Sequence, residues 1–137
     1  MASAASASVP IDLTLTIPAT SDHIRFARLM ASAAATKLGF DYDTVEDLRI
    51  AVSELCTAVA EACGGNGTLR LTYCADGADG IRIDGTAAFE TNGSVASKRD
   101  DLIGEILTAV TDEHSLDLNP TGGSFMLRMS PARSSGQ

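Results

Sequence analysis

Three cysteines, two histidines and a run of carboxylates on one predicted helix are the side chains whose chemistry could reach beyond packing. Cys56, Cys63 and Cys74 are odd in number and lack the paired C-x-x-C spacing of a zinc or redox site, so they read as small apolar fillers. Cys56 and Cys63 lie seven residues apart, two helical turns, and can share one face, which admits redox control as the alternative to that structural role. His23 and His114 have no neighbouring ligand pattern, and no metal site follows from spacing. The carboxylates are more informative. An apolar seam runs through Val45, Leu48, Val52, Leu55, Val59 and Ala62. Helical geometry sets Glu54 well away from that seam, beside Asp47, Ala51, Ala58 and Glu61, so it can face a cleft or solvent. A carboxylate so placed can take the proton of a hydroxyl nucleophile; the structural alternative is a solvated helix face.

The elements that must position Glu54 belong to one small domain of 137 residues and 14.2 kDa. Ten basic against 18 acidic residues leave a formal charge of −8, the wrong sign for tracking a phosphate backbone, so nucleic-acid binding is not expected. Hydrophobic residues at 45% and charged residues at 20% describe a folding composition. Aromatics at 4%, with no Trp, require an aliphatic, Ala-rich core and argue against a base-stacking platform. Residues 1–10 show no basic start and no apolar run long enough for a signal or membrane segment, so a cytoplasmic protein without membrane attachment is expected. The expected organisation is a disordered tail over 1–10, one domain over 11–130 and a frayed tail over 131–137.

Ile11, Leu13, Leu15 and Ile17 alternate with polar residues, and Pro18 ends that strand. Capped at Thr20 or Ser21, a helix runs to about Leu38 with Ile24, Ala27, Ala31, Ala34 and Leu38 inside and Arg25, Arg28 and Lys37 outside; Gly39 stops it. Asp43-Thr44-Val45-Glu46 reads as the capping box of the second helix, which Gly64-Gly65-Asn66-Gly67 breaks. Leu69, Leu71 and Tyr73 form a strand, Asp76 to Gly80 a turn, and Ile81 and Ile83 the second arm of a hairpin. A loop over about 90–98 leads to a third helix with Leu102, Ile103, Ile106, Leu107 and Val110 inside. Leu116 and Leu118, then Phe125, Leu127 and Met129, mark two last strands. This order predicts an α+β two-layer sandwich, a mixed, mainly antiparallel sheet with helices on one face.

The stretch Asp47-Leu48-Arg49-Ile50-Ala51-Val52-Ser53-Glu54-Leu55-Cys56-Thr57-Ala58 resembles the partner-switching anti-sigma factors of bacteria, small serine kinases whose helix reads D-[LI]-x-[LI]-A-V-S-E-[AL]-C-T-N-A-[VI]. Phe26-Ala27-Arg28 resembles the family's F-A-R, Leu102 to Leu107 followed by Val110 to Glu113 its closing helix, and Gly122 to Leu127 its last turn and strand. The likeness runs from Ile11 to Met129. It implies the ATPase fold shared by histidine kinases, gyrase B and Hsp90. It also implies a dimer that sequesters an alternative sigma factor in stress response or sporulation, and release by an anti-sigma factor antagonist. Arg28, with Arg25 beside it, is the implied sigma-factor contact, Glu54 the implied catalytic base and Asp84 the implied adenine contact.

The nucleotide boxes depart from that pattern. Ala58 stands where the family's Mg²⁺-chelating Asn is expected and has no oxygen to offer. In Asp84-Gly85-Thr86-Ala87-Ala88-Phe89, matched to D-x-G-x-G-F, Thr86 and Ala88 replace glycines that let the backbone approach the base. Asp101 and Ile103 fall where a G-x-G would cradle phosphate, and an acid there repels it. The expectation is an anti-sigma factor with weak or lost ATP and Mg²⁺ binding. The alternatives are an active serine/threonine kinase acting on the antagonist and a nucleotide-free interaction module.

Overall fold

The computed structural model describes residues 11–91 and 99–131, with the backbone alone for 99–101. The expected tail over 1–10, the stretch 92–98 of the expected loop and 132–137 lie outside the described residues. Within them the expected order of elements is present. Strand β1 (Asp12–Pro18) leads through a 3-10 turn (Ser21–His23) into helices α1 (Ile24–Lys37) and α2 (Tyr42–Cys63). The hairpin β2 (Gly67–Asp76) and β3 (Gly80–Phe89) follows, then α3 (Arg99–Val110) and the hairpin β4 (Glu113–Asn119) and β5 (Gly122–Met129).

The sheet runs β1-β2-β3-β5-β4, and every pairing is antiparallel. The mixed sheet expected from the element order would hold a parallel pair. None forms, because the β4/β5 hairpin folds β5 back between β3 and β4, the two strands that run the same way. Strand parity then sorts the side chains. Leu69, Leu71, Tyr73, Ile81, Ile83, Ala87, Phe125, Leu127 and Met129 are buried on one face, and the helices cover them to give an α+β two-layer sandwich. Arg70, Arg82, Thr86 and Ala88 stand exposed on the other.

Ala27, Ala31, Ala34 and Ala35 make the inner stripe of α1, and such small side chains let its backbone lie close to its neighbours. Tyr73 spans that contact: its ring is fully buried and its hydroxyl donates to the Ala27 carbonyl at 3.0 Å. Burial raises the Tyr73 phenol well above its ordinary value, so it stays a neutral donor. Gly85 faces Phe125 across the β3–β5 ladder, and a Cβ there would overlap the aromatic ring; the glycine makes room for the one phenylalanine in the sheet's centre.

Several local expectations change. The cap of α2 is Asp41, whose carboxylate accepts from the Thr44 amide at 2.8 Å, and not Asp43. Starting the helix there buries Thr44, whose hydroxyl donates to the Pro131 carbonyl at 3.2 Å, and leaves Glu46 to pair with Arg49. Thr20 makes no side-chain cap; its hydroxyl meets His23 Nδ1 at 2.8 Å beside the 3-10 turn. Leu102, expected inside, is 55% exposed, while Ile103 and Leu107 hold α3 to the core. Leu38 is only half-buried, since α1 has ended by then.

Candidate functional site

Helix α2 is the central element of the helical layer, in contact with α1, α3 and the sheet. Its buried surface is therefore much broader than the seam of six residues: Ala51, Cys56 and Ala58 are buried as well. Glu54 is half-buried among them. The expected open face around Glu54 is accordingly narrower, with Ala51 and Ala58 covered and Asp47, Glu54 and Glu61 at least partly accessible. Ala58, one turn beyond Glu54, is 6% exposed and presents a methyl group.

Arg28 and Arg25 part company. Arg28, expected on the outer face of α1, is half-buried and donates through Nη1 to Ser53 Oγ on α2 at 3.2 Å, next in sequence to Glu54. Arg25 turns outward and sits over the Phe26 ring, 5.5 Å from its centroid. Phe26 at 44% and Leu29 at 60% exposure extend this into an apolar surface with one cation. Nothing in the sequence marks Ser53 except its place before the candidate base.

Beneath Arg28, the Cys56 thiol is pushed up to about 12 by burial, a shift the Arg28 charge opposes only in part. A thiol held so far from ionisation is a poor nucleophile. Cys63 is buried too, its Sγ 3.7 Å from the Ala19 carbonyl, and Cys74 is half-buried on the sheet. All three are free. No cluster of three or more His, Cys, Asp or Glu able to hold a metal occurs among the described residues.

Asp84 lies within β3, which continues to Phe89, and its neighbours Ile83 and Gly85 are the buried ones. It therefore stands on the open face of the sheet, where both carboxylate oxygens are held by Arg82, at 2.9 Å from Nε and 3.1 Å from Nη2. Glu54, on a helix of the covering layer, is on the other side. The carboxylates matched to the family's site thus do not converge, and on the helical side β3 offers Ala87 near its end. The side chain of Asp101 lies outside the described residues.

The chain has curated relatives over part of its length. It is 40% identical over 65 residues to the serine-protein kinase RsbW of Halalkalibacterium halodurans, a match covering 47% of this chain and 40% of the relative. The RsbW of Bacillus velezensis is 44% identical over 45 residues, covering 33% of this chain and 28% of the relative. That of Bacillus thuringiensis is 37% identical over 49 residues, covering 36% and 31%. The chain is a relative of the RsbW serine-protein kinases. These relatives carry the same family name as the resemblance read from the sequence. The matched stretches span 40% or less of these RsbW proteins, and no family model matches the chain.

Proposed function

We propose that this chain is an anti-sigma factor of the partner-switching type, which holds an alternative sigma factor away from RNA polymerase core until an anti-sigma factor antagonist competes for it. The observation that carries this reading is the similarity to the RsbW kinases. The surface of Arg25, Phe26 and Leu29 supports it, since an exposed aromatic next to an arginine is the kind of pair that dominates protein interfaces. In this reading Arg25 meets acidic residues of the sigma factor, and Arg28 stands behind it, fixing α1 against α2 through Ser53. The net charge of −8 speeds encounter with basic surfaces elsewhere on the partner. The protein works as a cytoplasmic homodimer, and no helix among the described residues is long and apolar enough to cross a membrane.

ATP and Mg²⁺ binding is weak or lost in this proposal. Ala58 supplies no metal ligand, and Asp84 is occupied by Arg82 on the far side of the sheet from Glu54. Control then rests on competition between partners. Capture of alternative sigma factors by the purified chain tests the reading: Arg25→Glu should weaken capture at least about tenfold. Unchanged capture by both Arg25→Glu and Phe26→Ala overturns the contact assignment.

A second reading, an active serine/threonine kinase that phosphorylates the antagonist, draws on the retained Ala51-Val52-Ser53-Glu54 motif and the partial accessibility of Glu54 as general base. Calorimetric titration with ATP and Mg²⁺ separates the two: absence of saturable heat removes the kinase reading, and transfer of the γ-phosphate from ATP to a serine of the antagonist establishes it. A nucleotide-free module for another partner is the third reading, and co-purification of something other than a sigma factor would establish it.

A further inference from the structure

Away from the helical layer, Arg70 of β2 is surrounded by threonines. The register sets Thr16 of β1 directly on one side of it and Thr86 of β3 on the other. Thr68 and Thr72 are its same-face neighbours along β2. Opposite residues in such ladders have Cβ atoms about 5 Å apart, within reach of a shared ligand. Together they line a shallow depression of about 380 Å³.

The electrostatics of this spot differ from those of every other described arginine. Arg25 has the Phe26 ring, Arg28 has Ser53, Arg49 has Glu46, Arg82 has Asp84, and Arg128 has Asp76 and Glu113. Arg70 has no side-chain partner among the described residues. The acid in the depression, Asp84, pairs by register with Thr72, the same-face neighbour of Arg70, and both its oxygens already accept from Arg82. A guanidinium offers five N–H donors and no acceptor, and threonine hydroxyls can rotate to donate. The result is a ring of donors lacking an anion.

We propose that this depression binds the phosphate monoester of a phosphorylated protein side chain. An arginine fork with hydroxyls on each side matches the oxygens of a phosphate, and Arg–phosphate pairs are among the stronger charge-assisted hydrogen bonds. The net charge of −8 disfavours polyanions such as nucleic acids, whose attraction depends on a broad positive field, and leaves local recognition of a single dianion. The depression opens onto a flat sheet face and exceeds the size of a phosphate group, which suits a group carried on a polypeptide. The site does not depend on the sequestration reading.

Titration of the isotopically labelled chain with O-phosphoserine, followed by the amide resonances of Thr68, Arg70, Thr72 and Thr86, tests the proposal. Saturable shifts at those amides with a Kd of about 1–10 mM are expected, together with at least a tenfold loss in Arg70→Met. Arg70→Lys should keep part of the affinity, since it retains the charge and loses the fork. Both variants change an exposed side chain, and their unperturbed spectra elsewhere will show that the fold is kept. Parallel titrations use serine, which should give no shifts, and inorganic phosphate, which should bind no tighter than phosphoserine. Non-saturating shifts scattered over the surface overturn the proposal, as does binding that survives Arg70→Met. Saturation by inorganic phosphate without binding of phosphoserine also overturns it.

Discussion

The two faces of β3 show how one strand divides the chemistry of this molecule. On the covered face, Ile81, Ile83, Gly85 and Ala87 pack under the helices, where Tyr73 donates to the Ala27 carbonyl and Arg28 reaches Ser53 beside Glu54. On the open face, Arg82 and Asp84 lock each other, and Arg128 is held between Asp76 and Glu113, yet Arg70 is left among hydroxyls. In the family resemblance the catalytic base and the adenine contact belong to one pocket. Here the residues matched to those roles sit on opposite sides of the sheet. Apolar burial fills the side where the resemblance places nucleotide chemistry, while on the open side no described element covers the charged residues to desolvate a reactive group.

If the covered face is the structural one, Leu48→Ala, fully buried on α2, should cost about 2–5 kcal/mol in denaturant unfolding. Thr86→Val on the open face should stay within about 0.5 kcal/mol of wild type. Comparable losses at both positions would break the comparison. Tyr73→Phe removes one buried hydrogen bond to a carbonyl of helix α1 and should cost about 0.5–1.5 kcal/mol.

Thiol labelling sharpens the same contrast. Half-buried Cys74 on the sheet should react before Cys56, whose thiol burial pushes up to about 12, and before buried Cys63, with the last two labelled only on unfolding. Sigma-factor capture should accordingly be equal with and without reductant. A faster reaction of Cys56 in the native state would reopen redox control.

The smallest expected effect is at the start of α2. The hydrogen bonds of Asp41 to Thr44 hold its carboxyl below the ordinary value, so its contribution is present above the unfolded-state pKa and lost as pH falls through the folded one. Asp41→Ala should flatten the acid limb of the stability profile and destabilise the helix start, whereas Asp43→Ala, which removes no cap hydrogen bond, should destabilise it less. The reverse result would restore the capping box read from the sequence.

Much of the fold is legible in the chain itself. Alternation at Leu69, Leu71 and Tyr73 and the spacing from Val45 to Ala62 identify a strand and a helix because each pattern is local and repeated. The Ala51 to Thr57 motif is enough to point at the family. Arg28 escapes that logic, since its hydrogen-bond partner Ser53 is 25 residues away on another helix. Asp84 reads in the sequence as a residue beyond the end of a strand, because only pairing with β2 and β5 shows that β3 runs on to Phe89.

By itself, the sequence determined the order of elements, the core-facing side of the central strands, the acidic balance and the resemblance to partner-switching kinases. These are set by composition and by short periodicities, which every residue of an element repeats. Tertiary structure alone decided that Asp41 caps and Asp43 does not, that Leu102 is exposed, that Arg28 turns inward while Arg25 does not, and that Glu54 and Asp84 are divided by a sheet. Each of these depends on which distant surface a side chain meets, and a contact between remote segments leaves no period in the chain to read.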